Sequence, residues 1–356
     1  LKGIILHGGH GTRLRPLTHT GPKQLIPVAN KPISQYVLED LKNSGIDEIA
    51  IVLGDIYPEK VKNYYGNGDK FGVKITYIQQ DQPKGIAHAV GECREFVGSD
   101  SFVVYLGDNL LKGGINKFAE SFRESNFDAM ILLCKVKDPQ RFGVAEFDRR
   151  RNLIRLIEKP KKPPSDYALT GIYFFKPIIF DMIKQLKPSW RGELEITEAI
   201  QLLLEKGYSV GYKFVEGWWK DTGTCEDILE ANRLVLDELK SKIKGKVEDM
   251  RYVRGKVIVE EGARICQGAR ITGPAIIGKN STVGGGAVIG PYTSVGSETV
   301  VKRCEIENSI IMEHCVIDTG EKIQDSIIGA YSEIVSNSGK PGRRTFIVGE
   351  RSDIRL

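Results

Sequence analysis

Ile265, Ile271, Ile277, Val283, Ile289, Val295 and Val301 are seven aliphatic residues standing strictly six apart. An α-helix, with about 3.6 residues per turn, does not return side chains to one face in that rhythm, and neither does a strand that alternates faces. A solenoid does: each short strand turns one aliphatic side chain inward, and the chain then rounds a corner. Ala269, Ala275, Ser281, Ala287, Thr293 and Thr299 stand four residues after the first six of them, and all are small, as a tight interior beside a corner requires. Glycine directly follows the aliphatic residue at 278, 284, 290 and 296. A second, less regular series, Ile311, Ile317 and Ile323, follows after a break of ten residues. A parallel β-helix over residues 251–356 is expected. The polar, basic stretch Lys240-Ser241-Lys242-Ile243-Lys244-Gly245 before it reads as part of a linker over 241–250.

Residues 1–240 follow another plan, short apolar strands alternating with amphipathic helices. Gly3-Ile4-Ile5-Leu6 is a buried-strand run ending in glycines, and Ile33 to Ser44 carries apolar residues at helical spacing with Gly45 placed to cap it. Strands are expected at Glu48–Leu53 and Phe102–Leu106, and a helix over Ile86–Phe96. Such alternation argues for a Rossmann-like α/β sheet, mostly parallel, with helices on both faces. From about residue 145 the pattern becomes antiparallel: Val144–Phe147, a polar turn, Leu153–Ile157, then Leu169–Phe175. Helices are expected at Glu195–Leu204 and Thr224–Leu239. In open α/β sheets the ligand crevice lies outside the carboxyl ends of the strands. The glycines after Leu6 and the Asp after Gly107 both fall there.

Several functions are disfavoured. Net charge is +5, from 51 basic and 46 acidic residues. The longest basic excess, Arg149-Arg150-Arg151 with Lys159, Lys161 and Lys162 nearby, reads as a solvated hairpin turn, not a nucleic-acid surface. Six cysteines form no CxxC pair and no cluster with histidines, which fits a reducing cytosol better than a disulfide framework. The chain opens directly on a strand-like run, without a signal-peptide pattern, and no window approaches about 18 consecutive apolar residues. A cytoplasmic protein without a membrane span is expected.

The chemistry is concentrated in the first loop, Gly8-Gly9-His10-Gly11-Thr12-Arg13-Leu14. A dinucleotide fingerprint would need glycine at 14, which is Leu, and the near-match to a P-loop at Gly273–Asn280 lies inside the repeats with Asn at 280. What remains is a loop that offers several backbone N–H groups to an anion, with Arg13 for bidentate phosphate contact. Glycine turns after strands also occur without any ligand. Lys23, in Gly21-Pro22-Lys23-Gln24-Leu25-Ile26-Pro27-Val28, follows closely enough to serve the same anion.

Leu6-His7-Gly8-Gly9-His10-Gly11-Thr12-Arg13-Leu14-Arg15-Pro16-Leu17-Thr18 and Pro22-Lys23-Gln24-Leu25-Ile26-Pro27-Val28-Ala29-Asn30-Lys31-Pro32 together resemble the signature of sugar-1-phosphate nucleotidyltransferases. The Lys-Gln-Leu variant is similar to the glucose-1-phosphate thymidylyltransferase branch. Gly107-Asp108-Asn109, Glu158-Lys159-Pro160, Thr170-Gly171-Ile172-Tyr173, Arg191-Gly192-Glu193-Leu194-Glu195-Ile196-Thr197 and Trp219-Lys220-Asp221-Thr222-Gly223-Thr224 extend the likeness over residues 1 to about 240. With its repeat tail, which resembles the left-handed β-helix of hexapeptide-repeat proteins, the chain looks like a long form of that family.

The resemblance implies Mg²⁺ held by Asp108 and Asp221, and catalysis assisted by Arg13, Lys23 and Asp108. It implies nucleotide binding by Leu6, Gly8, Gly9, Gly11, Thr12, Arg13, Gln80, Pro83 and Gly85. It places Asn109, Gly143, Glu158, Lys159, Thr170 and Trp219 at the sugar phosphate. The implied substrates are dTTP or UTP with glucose 1-phosphate; the stacked coils of the repeat tail, of a kind that often brings subunits together, suggest a homo-oligomer. An Asp after a strand can also be a helix cap. The family usually has a small residue where His7 stands and often Tyr where Phe142 stands, so His7 either narrows the pocket or packs behind the loop. Two other readings compete: a non-catalytic scaffold subunit, against which Arg13, Lys23, Asp108 and Asp221 are all present, and a bifunctional acetyltransferase, for which the repeats offer only His314.

Overall fold

The computed structural model describes residues 1–336 and 343–355, so residues 337–342 and 356 of the range expected for the β-helix lie outside it. It holds two compact units that do not follow chain order: Leu1–His10 with Ser34–Asp221, and Gly11–Ile33 with Thr222–Leu356. No helix among the described residues is long and apolar enough to cross a membrane.

The first unit is built on a nine-stranded mixed sheet. Lys2–His7 lies at its centre, paired in parallel with Glu48–Leu53 on one side and Phe102–Leu106 on the other, and Lys74–Gln79 extends it in parallel. These strands are apolar runs because helices cover them; Ile4, Ile5, Ile51, Val52, Val103 and Val104 are fully buried. The sheet then turns antiparallel, as the sequence suggested. Tyr167–Phe175 pairs with Phe102–Leu106 and with Ala129–Lys135, and Leu153–Glu158 pairs with Gly143–Phe147. The basic run at 149–151 sits in the connecting turn, where the Asp148 carboxylate accepts from the N–H groups of Arg150 and Asn152. The helix expected over Ile86–Phe96 is two short ones, Ile86–Gly91 and Arg94–Val97, separated at Glu92 and Cys93.

The second unit is dominated by a parallel β-helix whose three sheets have, among the described residues, seven, seven and six strands. Every aliphatic residue of the hexad series is buried, and so are the small residues at the corners. Early coils are eighteen residues long, seen in the partners Ile265↔Val283 and Ile277↔Val295. The apparent break after Val301 is not a gap. Ile306 fills it, and the coil shortens to sixteen residues at Val301↔Ile317 and Val295↔Ile311. The stretch expected to be a linker is also solenoid: Lys242–Ile243 and Lys246–Val247 pair in parallel with Val257–Val259 and Arg264–Ile265. Its lysines are exposed on the outside of the opening coil, which is why it looked unstructured.

Gly11–Ile33 packs in this unit. Pro27–Val28 and Lys31–Pro32 form a hairpin whose turn residues, Ala29 and Asn30, both have positive φ, 47° and 62°. Asn232, fully buried on the helix Cys225–Glu238, accepts the Ala29 N–H at 2.8 Å and the Ser294 hydroxyl at 2.7 Å, and donates to the Tyr292 carbonyl at 3.1 Å. Asn30 donates to the Val295 carbonyl at 2.7 Å. The hairpin is thereby fastened to a solenoid coil.

Candidate active site

In the first unit, Gly8 and Gly9 follow the central strand, and Gly54, at the end of the neighbouring strand, approaches Gly8 so closely that a Cβ there would lie 3.5 Å from the Gly8 Cα. A Cβ on Gly8 would meet the Gln80 side-chain oxygen at 3.4 Å, so Gln80 is packed beside the loop. Gln80 is buried and its amide nitrogen lies 3.0 Å from His88 Nδ1. Pro83 is exposed, whereas Gly85 has φ +103° and no room for a side chain: a Cβ would sit 2.5 Å from the Leu194 carbonyl oxygen. His7 is buried, with Tyr65 edge-on 6.0 Å from its ring. Its ring packs against Tyr65.

The two Asp residues are brought together by a small ladder. Asn109–Leu111 pairs antiparallel with Trp219–Asp221, placing Asp221 directly opposite Asn109 and one position from Asp108. Asp108 follows Gly107, whose N–H is bound to the Leu6 carbonyl, so it stands at the carboxyl end of the sheet beside the first loop. Asp108 is buried, and Asp221 is half-buried. Among the described residues no group of three or more His, Cys, Asp or Glu could hold a metal ion. Two Asp residues whose backbones the ladder brings close, without a complete protein cage, suit Mg²⁺, which is commonly bound through one or two carboxylates plus substrate phosphates and water.

A second cluster surrounds Glu158. Gly143 is its cross-strand partner, and a Cβ on Gly143 would lie 2.8 Å from Thr197 Oγ1 and 3.1 Å from Glu158 Oε2. The Thr197 hydroxyl donates to Glu158 at 2.6 Å, and Arg191 Nη1 lies 3.6 Å from Glu158 and 3.2 Å from Glu195. Burial and then the charge of Glu158 push the Glu195 carboxyl upward. Lys159 holds φ +41° while its N–H donates to the Phe142 carbonyl. Thr170 is fully buried and its hydroxyl donates to the Leu132 carbonyl at 3.1 Å, so that hydroxyl is engaged within the sheet. Thr197, Arg191 and Glu195 were not singled out from sequence. Their signal was the Arg-Gly-Glu-Leu-Glu-Ile-Thr run itself, which leads into the helix Ile196–Glu205.

In the second unit, Gly11, Thr12, Arg13 and Lys23 lie on one tight loop. Gly11 has φ +59°, its carbonyl accepts the Thr18 hydroxyl at 2.8 Å, and a Cβ there would strike Thr18 at 2.8 Å and approach Lys23 Cβ at 3.5 Å. Thr12 and Arg13 are exposed, and Lys23 is half-buried.

A mixed α/β sheet with a glycine loop at its carboxyl edge, a pair of Asp residues beside it and a β-helix after it defines a nucleotidyltransferase of the long type. The Nucleotidyl transferase family profile matches residues 2–238, and the GMPPB C-terminal domain profile matches residues 271–354. The chain belongs to the Nucleotidyl transferase family. It is 50% identical to the low-salt glycan biosynthesis nucleotidyltransferase Agl11 of Haloferax volcanii, with 100% of each chain covered. It is 44% identical to glucose-1-phosphate thymidylyltransferase of Streptomyces antibioticus, covering 100% of this chain and 99% of the relative. A crystal structure from Bacillus anthracis, described as a glucose-1-phosphate thymidylyltransferase in complex with sucrose, matches with TM-score 0.63 and 44% identity over 68% of this chain and 97% of its own. The UDP-glucose pyrophosphorylase structure, at 23% identity and TM-score 0.60, shares the fold.

Proposed function

We propose that this enzyme transfers a thymidylyl or uridylyl group from dTTP or UTP to glucose 1-phosphate, releasing pyrophosphate, with Mg²⁺ held by Asp108 and Asp221. The observation that carries the reading is the ladder setting Asp221 opposite Asn109, which joins two motifs more than a hundred residues apart. Full-length identity to the Streptomyces thymidylyltransferase supports the substrate class.

A sugar 1-phosphate has a second pKa of about 6, as other phosphate monoesters do, so it is mostly dianionic at neutral pH and needs no general base. The barrier is the approach of two anions. Arg13 and Lys23 neutralise the triphosphate as pyrophosphate leaves, the Gly8–Gly11 backbone cradles phosphate oxygens, and Gln80 with Gly85 reads the pyrimidine edge. Glu158 accepts sugar hydroxyls, with Thr197 fixing its carboxylate, and Lys159 meets the sugar phosphate. Bound Mg²⁺ supplies electrostatic stabilisation of the charge at the transferring phosphorus.

The test is pyrophosphate release with a matrix of triphosphates and sugar 1-phosphates. Lys23→Ala and Asp108→Ala should each lose more than about 10²-fold in turnover, the scale of one strong electrostatic contact. Near-normal rates in either variant would refute the assignment.

A further inference from the structure

Asn109 lies between the two Asp residues, and its amide is locked from the other side. The indole N–H of Trp219 donates to Asn109 Oδ1 at 2.8 Å, and Asn109 Nδ2 donates to Asp108 Oδ1 at 2.9 Å. An indole nitrogen is a donor only, so it fixes which end of the amide is oxygen. The nitrogen end must then face Asp108. The reverse orientation would set N–H against N–H at Trp219 and oxygen against carboxylate at Asp108, two repulsions in place of two bonds. Asn109 is almost wholly buried, so water cannot readily make good such an error.

The surroundings hold this arrangement. Phe142 meets Trp219 edge-on at 5.2 Å and restrains the indole plane. The strand Tyr167–Phe175 shifts register between Leu169 and Tyr173, and Gly171 at that bulge has φ +72°. A Cβ on Gly171 would stand 2.6 Å from Leu106 Cδ1 and 3.4 Å from Asn109 Oδ1, so glycine preserves the space in which the amide sits.

We propose that Trp219 and Asn109 are positioning residues for the Asp108 carboxylate, a relay that holds one carboxylate oxygen and sets the direction of the other toward the divalent cation. This rests on the reading that Asp108 and Asp221 bind that cation, and it gives Trp219 and Asn109 a role other than the sugar contact expected from family resemblance. Partners that orient a metal-binding carboxylate commonly contribute about tenfold or more to metal affinity.

The experiment is direct Mn²⁺ binding by electron paramagnetic resonance on the full-length protein, with the α,β-methylene analogue of dTTP present. Trp219→Phe, Asn109→Ala, the double variant and Asp108→Asn are compared, and glucose 1-phosphate affinity is measured separately by calorimetry. Asn109→Ala should weaken Mn²⁺ binding about tenfold. Trp219→Phe, which keeps an aromatic ring beside Phe142 but loses the N–H, should weaken it several-fold (about 3- to 10-fold) and leave sugar-phosphate affinity within about twofold. The double variant should be no weaker than Asn109→Ala, because both residues act through one bond to Asp108. If Trp219→Phe leaves Mn²⁺ binding intact, or the two losses multiply, the relay is overturned while Asp108→Asn still reports on the metal site. If Asp108→Asn itself retains Mn²⁺ binding, the metal reading fails and the relay with it.

Discussion

Replacing Asn232 by Leu would keep much of the side-chain volume and remove three buried hydrogen bonds at once. The amide serves Ala29 N–H, Ser294 Oγ and the Tyr292 carbonyl. At about 1 kcal/mol net for each bond, the loss is about 3 kcal/mol, and the stranded groups push it upward. The Ala29 N–H bond also helps hold a left-handed Ala, a conformation that costs about 1–2 kcal/mol. The assay is urea unfolding followed by circular dichroism, with the decrease in midpoint converted through the wild-type slope. Asn232→Asp sharpens the test. Its two donors remain satisfied, but a carboxylate oxygen now faces the Tyr292 carbonyl, so only the protonated form can donate there. The folded-state pKa of the new Asp is therefore raised above its unfolded value of about 3.9. Its stability contribution is present below the unfolded value and is lost as pH rises through the folded one. The deficit of this variant relative to wild type should be larger at pH 8 than at pH 5. A loss below about 1 kcal/mol for Asn232→Leu, or no pH dependence for Asn232→Asp, would refute the hydrogen-bond account.

Gly143→Ala places a methyl against Thr197 Oγ1 and Glu158 Oε2, so it should displace Glu158 and raise the KM for the sugar phosphate at least about tenfold with a smaller effect on that for the triphosphate, read from initial rates. The Glu195 carboxyl is raised by burial and then by Glu158, so its contribution to stability is present below the unfolded carboxyl value and fades as pH rises through the folded one. Thermal melts of Glu195→Gln should therefore improve relative to wild type between pH 4 and pH 7, roughly the range of carboxyl titration. A flat difference would show that Arg191 compensates the charge.

The solenoid was legible because one inward side chain per six residues is a pattern few other architectures impose. Its irregular part was not legible. The step from Val301 to Ile306 shortens the coil by one residue at that corner, and a strict six-residue template passes over Ile306. The opening coil was missed for a different reason: Lys242, Lys244 and Lys246 show only its solvated side. At the candidate site, chain order gave the glycine loop and the Asp after Gly107. The meeting of Asn109 with Asp221, and of Gly143 and Glu158 with Thr197, depends on long-range pairing that no local window contains. Family likeness named most of these residues, but not the Thr197 hydroxyl on Glu158 or the indole behind Asn109.

The fastening of the Ala29–Asn30 turn to the solenoid has a consequence for truncation. Deleting the β-helix would strip Ser294, Tyr292 and Val295 from Asn232 and Asn30 in a single event, opening those amides to water in place of the coil. A chain cut after residue 240 would therefore lose the coil's hold on the Ala29–Asn30 turn as well as the solenoid itself.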